Sequence, residues 1–452
     1  MSAKRLSRRD FLKVASAGAA MAFLAACQTQ PGPDPAVDDD PGPGDVLPAD
    51  DTFEIVHWAE GIMDPDNTNA DDYKPYVDQV HEVFREKFPN ATVTAVNMGW
   101  DEALRQNLVT ALLGGTAPDV IVGENFFQQY GDLGALMPVD DYIQDIKDNL
   151  IPGTYAASVT GGQTYGVNQF TGCFGFERNP NVIEAAGLDP SEPPETWDDL
   201  LYEAEVITEA GNGEFYGYTL QGPVGFSVGG IFRVAVYLKQ ASAEIQQEDG
   251  YPWFDNPATI PVLEFLRNIN EFTPPGLTFN PDEGQVYSQL FLGVSAYQIC
   301  GSWHVNWAKE SGLDNAMYSG VPIPRDGRPA SVVVGNVINA VLSGSRYPEA
   351  SAEWITSFTD DRVQDLVNPI YGRMPSTRSA LTRLQPTATE ADQAFINELL
   401  TADLGILPQW RKDPQRLWTI YNDMLTGVLS TNSPIDGLVG QAQQQADDVM
   451  ES

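Results

Sequence analysis

The chain has 452 residues and a mass of 49.3 kDa, enough for two to three domains of about 150 residues each, every one with its own core. Sixty-three Asp and Glu against 25 Lys and Arg give a formal net charge of -38, a field that repels nucleic-acid phosphate and anionic lipid head groups and excludes nucleic-acid binding. Charged residues make up 19%, below the roughly 25% of an average protein, so the imbalance comes from missing basic residues; the surface reads as acidic and soluble, with adaptation to concentrated salt as the alternative.

Residues 1–26 carry Lys4, Arg5, Arg8, Arg9 and Lys13 against Asp10, then turn small and apolar from Val14 to Ala26. A basic start followed by an apolar run too short to span a bilayer is the pattern of a signal peptide. Within it, Ser7-Arg8-Arg9-Asp10-Phe11-Leu12-Lys13 resembles the twin-arginine export signal, which sends out proteins already folded. Leu24-Ala25-Ala26-Cys27 resembles the bacterial and archaeal lipobox, in which the cysteine thiol is lipidated and becomes the first mature residue. Loss of residues 1–26 removes five basic groups and one acid and takes the charge from -38 to -42, so electrostatics give the protein no hold on lipid. Two acyl chains, at about 0.8 kcal/mol per buried methylene, suffice for stable anchoring. Residues 27–51 hold Pro31, Pro33, Pro35, Pro41, Pro43 and Pro48 among Asp and Gly and read as an acidic tether. The expected location is the outer face of the cytoplasmic membrane, or the periplasm or cell surface, held by lipid at Cys27.

The folded body opens with an apolar run, Phe53 to Trp58, suited to a buried strand, followed by Tyr73, Tyr76, Val77, Val80, Val83, Phe84 and Phe88 at helical spacing. Thr92 to Val96 is β-rich, Leu104, Leu108 and Leu112 mark a helix ending at Gly114-Gly115, and Pro118 to Val122 reads as a buried strand. Repeated strand and helix predict a parallel sheet with helices on both faces. Thr196-Trp197-Asp198-Asp199 is a capping signature that opens a helix to about Ala210. A helix after Pro257, strands over Val294–Ile299 and Asn336–Leu342, a helix after Pro348 and a mostly helical C-terminal part complete a body of two α/β lobes.

Several segments, in order, resemble the extracellular sugar-binding proteins that feed ABC importers, the maltose-binding-protein-like family. Ala117-Pro118-Asp119-Val120-Ile121-Val122-Gly123 and Leu136-Met137-Pro138-Val139-Asp140-Asp141-Tyr142 resemble its Pro-Asp-Val strand and Leu-x-Pro-Leu-Asp-x-Tyr continuation. Gly162-Gln163-Thr164-Tyr165-Gly166-Val167 resembles the strand leading into the hinge. Asn179, Ala185-Ala186-Gly187-Leu188 and Pro194-Glu195-Thr196-Trp197-Asp198-Asp199-Leu200 are similar to the Asn-Lys-Asp, Ala-Gly-Leu and Pro-x-Thr-Trp-Asp-Glu-Leu run. Ile299-Cys300-Gly301-Ser302-Trp303 resembles Ile-Asn-Gly-Ser-Trp, and Tyr371-Gly372-Arg373-Met374-Pro375 resembles the Gly-x-Leu-Pro turn.

The resemblance implies a two-lobed periplasmic-binding fold of type II, each lobe a β-sheet flanked by helices, with crossings near Gln169–Gly175, residues 325–335 and Tyr371. Residues 52–168 plus 335–372 would form lobe 1, and 169–334 plus 373–452 lobe 2. It implies a ligand held between the lobes at strand ends, and closure on binding. A sugar needs aromatic plates against its C–H faces and carboxylates or amides in the plane of its hydroxyls. Residues of these types stand where strands end: Trp58 and Glu60, Glu124 and Asn125, Gln169 and Phe170, Trp303 and His304, with Trp253, Asn336, Tyr371 and Arg373 as further candidates. Trp303 is covered by the resemblance directly, whereas Trp197 reads as a structural residue at a helix start. Gln221 is a weaker candidate, because Gly222 and Val224 depart from the Glu-Pro-aromatic sequence some relatives carry there. In the implied fold Cys173 and Cys300 flank cleft strands of lobe 2, and an exported protein permits a disulfide between them; two buried thiols are the alternative.

Gly225-Phe226-Ser227-Val228-Gly229 matches the G-x-S-x-G nucleophile elbow, but Gln221 to Pro223 interrupt the strand that should lead into it, and His304 is the only later histidine. Three histidines, His57, His81 and His304, with no H-E-x-x-H argue against zinc. Asp64, Asp66, Asn67, Asn69 and Asp71 fail the EF-hand pattern, since Asn69 and Pro75 stand where its Gly and Glu belong, and read as a solvated turn. No metal or cofactor is expected. The expected function is a monomeric, lipid-anchored solute-binding protein that captures a carbohydrate, an oligosaccharide, and delivers it to ABC importer membrane subunits. The alternatives are a secreted serine hydrolase using Ser227 and a binding protein for a non-sugar solute; the abundance of acids disfavours anionic ligands.

Overall fold

The structure is a computed structural model that describes residues 52–99, 101–124, 127–151, 153–223, 228–334 and 336–452. The signal peptide, the tether, Cys27, Asn125 and Ser227 lie outside the described residues.

In chain order the principal elements are β1 (Phe53–Trp58), α1 (Ala70–Arg85), β2 (Ala91–Val96), α2 (Asp101–Gly114), β3 (Val120–Gly123), β4 (Val167–Phe170) and β5 (Phe174–Arg178). Then come α3 (Trp197–Gly211), β6 (Tyr216–Tyr218), α4 (Val228–Gln240), α5 (Thr259–Asn270), α6 (Glu283–Phe291), β7 (Ser295–Gly301), α7 (His304–Glu310) and β8 (Met317–Ser319). Last are β9 (Val337–Val341), α8 (Pro348–Ser357), α9 (Asp361–Tyr371), α10 (Glu390–Thr401), α11 (Pro414–Ser430) and α12 (Ile435–Glu451). The acidic run before α1 is a chain of Asx turns, in which Asp64 Oδ1 accepts from Asp66 N and Asn67 Oδ1 from Asn69 N.

The chain divides into two compact units. The first holds the described residues up to Gln144 together with Ser158–Val167 and Asn339–Ser357. In it β1 lies parallel to both neighbours, with Phe53 opposite Ala91 and His57 opposite Val120. Its five-stranded sheet runs β2-β1-β3-β9-β4, and the division between units falls inside the last two strands. All four residues of β3 are buried, as expected of a parallel strand covered on both faces. Trp354 of α8 is fully buried and its Nε1 donates to His57 Nδ1 at 3.1 Å, while His57 Nε2 donates to Asn339 Oδ1 at 3.0 Å. Burial holds this imidazole neutral, with its pKa lowered to about 3, so one ring pins β1, β9 and α8 together.

The second unit holds Asp145–Ala157, Asn168–Ile338 and Phe358–Ser452. Its four-stranded sheet runs β8-β5-β7-β6, with β5 antiparallel to β7 and β8, and β6 parallel to β7. Thr196 and Asp199 form a full capping box at the start of α3. Trp197 is structural: it stacks on Phe265 at 4.4 Å between ring centroids, and its Nε1 donates to Pro322 O at 3.1 Å.

Residues 145–157 and 358–372, assigned above to lobe 1, belong to the second unit, as do Asn168 and residues 336–338. Leu150 bridges Thr377, and Asn149 exchanges hydrogen bonds with Ser379. Gln364 of α9, fully buried, donates to Gln169 O at 2.8 Å and accepts from Ser376 N at 2.7 Å. Of the two readings for the cysteine pair, the structure has the second: Cys173 and Cys300 are free, buried thiols and no disulfide joins them. The register sets Gly175, not Cys173, opposite Cys300, so the two are diagonal neighbours rather than a facing pair.

Candidate functional site

In the second unit, four of the predicted residues meet. The Arg373 guanidinium carbon lies 4.3 Å from the Trp303 ring centroid, 5.5 Å from that of Tyr371 and 5.9 Å from that of Phe170. Phe170 and Tyr371 meet edge to face at 5.3 Å. Phe170 is fully buried, whereas Trp303, Tyr371 and Arg373 remain partly exposed. The arrangement is that of a surface presenting one indole and one guanidinium over a buried phenyl support.

Backbone geometry fixes this group. A Cβ added to Gly301, at the end of β7, would overlap the benzo ring of Trp303, so the missing side chain is the bed on which the indole rests. Gly172 lies beside the same ring. Gly372 caps α9 in the left-handed region at φ 65°, with Asn306 Nδ2 occupying the place of a Cβ. On the other side of Arg373, Met374 and Thr171 exchange backbone hydrogen bonds, Thr171 N to Met374 O at 2.9 Å and Met374 N to Thr171 O at 3.2 Å. Arg373 is therefore held between a helix cap and a bridge to the residue after Phe170.

Beneath lies a polar row that the sequence did not reveal. Register sets Tyr318, Glu177 and Gln298 side by side across β8, β5 and β7. Glu177 accepts from Tyr318 Oη at 2.8 Å and from Gln298 Nε2 at 2.7 Å, and its Oε2 lies 2.9 Å from His304 Nδ1. Burial outweighs the nearby carboxylate and holds His304 below its ordinary pKa, so the neutral ring donates from Nδ1. Its Nε2 has no hydrogen-bond partner among the described residues. His304 is fully buried between Tyr287 at 4.7 Å and Trp307 at 5.2 Å and supports the group rather than presenting a polar edge at its surface. Trp307, one helical turn beyond Trp303 at 6.4 Å, is exposed. The i, i+4 spacing of the two tryptophans was the available signal for it.

Other candidates are placed differently. Asn336 is buried, its Nδ2 donating to Thr154 O and its Oδ1 accepting from Asn168 Nδ2, and Gln169 is fully buried with its carbonyl taken by Gln364. Gln221, also buried, accepts from Arg233 Nη1 at 2.8 Å and Tyr287 Oη at 3.0 Å. Trp253 sits in a strap closed by the Gln246–Pro252 bridge, its N–H donating to Ile245 O, next to Phe254, whose N–H is bound by Gln443 of α12. It is not among the rings around Arg373. In the first unit, Trp58 ends β1, Glu60 follows it and Glu124 follows β3, at the carboxyl ends of two paired parallel strands with Trp58 opposite Ile121. Trp58 and Glu124 are buried there, and Glu60 accepts from Ile62 N at 2.7 Å, capping the turn that follows.

Residues 65–365 match the family described as bacterial extracellular solute-binding protein. The chain belongs to this family. A binding protein of Brucella abortus (strain 2308) is 29% identical over 258 residues, covering 55% of this chain and 60% of that protein. The maltotriose-binding protein of Pyrococcus abyssi is 24% identical over 229 residues, covering 50% of this chain and 46% of the other. The chain thus matches about half the length of its curated relatives. Among solved structures, the cyclic alpha-maltosyl-1,6-maltose binding protein of Arthrobacter globiformis superposes with a TM-score of 0.74 at 19% identity, covering 89% of this chain and all of that one. The sugar-binding protein MalE of Xanthomonas citri gives 0.73 at 19%, covering 88% and 98%. At these identities the likeness is one of fold, and the fold is the solute-binding one the sequence motifs implied. Among the described residues no helix is long and apolar enough to cross a membrane.

Proposed function

We propose that this member of the family is a lipid-anchored carbohydrate-binding protein that captures an oligosaccharide without covalent chemistry and passes it to the membrane subunits of an ABC importer. The observation that carries the reading is the partly exposed Trp303 indole, bedded on Gly301 and faced by the Arg373 guanidinium, which also lies over Tyr371. An indole face suits the C–H face of a sugar ring, and guanidinium N–H groups suit its hydroxyls. The names of two relatives, maltotriose-binding and arabinooligosaccharide-binding, support an oligosaccharide. A micromolar dissociation constant corresponds to about -8 kcal/mol, within reach of one or two stacked rings and several hydrogen bonds. Residues 1–27 supply export and lipid attachment in this reading, and the protein acts as a monomer.

A melting and fluorescence screen of the chain against mono- and oligosaccharides tests the reading, since nine tryptophans provide the signal. A ligand at a hundred times its dissociation constant stabilises the folded form by about 2.7 kcal/mol, which raises the melting midpoint by several degrees. A flat response to every saccharide, with hydrolysis of short-chain aryl esters abolished in Ser227→Ala, would replace it with the hydrolase.

A further inference from the structure

We infer that Arg373 makes the site selective for oligosaccharides that carry a carboxylate, that is, for oligomers of uronic acids. The inference rests on the carbohydrate-binding reading and narrows it. Carboxylates are plentiful in a chain with 63 acidic residues against 25 basic ones. Arg328, Arg362 and Arg383 each hold one within 3 Å, and buried Arg233 has Glu283 at 3.7 Å. Arg373 has neither an ion pair nor a hydrogen bond to its guanidinium among the described residues, and its neighbours are three aromatic rings. Ring faces attract the cation but take none of its N–H donors. Five donors in a rigid fork, on a group that stays charged, are therefore presented unspent beside the indole that would stack a sugar.

The fork matches a carboxylate in two parallel hydrogen bonds. A neutral diol could accept the same donors but would leave a partly desolvated charge uncompensated, whereas a uronate carboxylate completes both. The overall charge of -38 argues the other way, yet at about 0.15 M salt exposed charges beyond roughly 8 Å are largely screened, so the group in contact decides. The backbone supports the role: with Gly372 capping α9 on one side and the Met374–Thr171 bridge on the other, Arg373 sits on a fixed turn. The stacked ring and the fork would then read a sugar face and its carboxylate together.

Calorimetric titration of the chain with trigalacturonate and triguluronate, their methyl esters, maltotriose and mannotriose tests this. Methyl esterification keeps the ring and removes the charge. The expected result is that at least one triuronate binds tenfold or more tightly than its ester, that Arg373→Gln reduces the ratio to under threefold, and that Arg373→Lys is intermediate because it keeps charge without the fork. If Arg373→Gln fails to fold, the acid-to-ester ratio in the unaltered protein decides. Neutral trisaccharides binding as well as or better than either triuronate would overturn the selectivity and leave the carbohydrate reading standing. No binding of any saccharide would overturn both.

Discussion

Trp303 can offer a ring face because the residue two positions before it has no Cβ. Substituting Gly301→Ala drives a methyl group into the benzo ring, and since Gly301 is a buried strand residue, the indole is the part that can move. Overpacking of this kind costs about 1–3 kcal/mol of stability. The expected outcome is at least tenfold weaker saccharide binding by titration, with a melting midpoint lowered by only a few degrees; unchanged affinity would mean that the indole does not contact ligand. At this scale the sequence was legible where a motif carries its own geometry: Gly301-Ser302-Trp303 places the indole beside the glycine that lets it fit, and Gly372-Arg373 places the arginine directly after a left-handed helix cap. The depth of Asn336, Gln169 and His304 was not legible, because the identity of a polar residue does not say how far its side chain lies below the surface. Glu177 gave no signal, since its importance lies in a cross-strand row with Tyr318 and Gln298 that only register creates.

At the level of elements, His57 joins one strand to another strand and a helix through a neutral ring. Its folded pKa of about 3 lies below the ordinary 6.5, so between these values the unfolded chain binds more protons than the folded one. The contribution of the ring is complete above about pH 6.5 and is lost as pH falls toward 3, at up to about 1.4 kcal/mol per pH unit. Nitrogen-15 NMR of the labelled protein should find His57 neutral at pH 5 with the proton on Nε2; a ring that charges near pH 6.5 would contradict the assignment. Apolar runs and periodicity, with a capping signature for α3 and prolines ahead of α5 and α8, found β1, α1, β2, α2, β3, α3, α5, β7, β9 and α8 to within a few residues. They could not tell which sheet a later segment joins. Residues 358–372 belong to the second unit, where the buried amide of Gln364 reaches Gln169, 195 positions away in the chain.

For the molecule as a whole, the charge of -38 separates two jobs. An acidic surface is repelled by anionic lipid, so the proposed function assigns the hold on a membrane to lipid at Cys27. Cys27→Ser should therefore move the exported protein from the membrane fraction to the medium or periplasm, and a variant that stays with the membrane would exclude lipidation as the anchor. Family membership was legible from ordered motifs spread along the chain, whereas ligand identity was not, since the motifs are shared by proteins named for different ligands. The most direct test of the account is calorimetric titration of saccharides into the unaltered protein and Trp303→Ala side by side. The account predicts micromolar or tighter binding of an oligosaccharide that Trp303→Ala weakens by a factor of ten or more while the fold persists. Equal affinity in the two proteins, or none in the unaltered one, would contradict it.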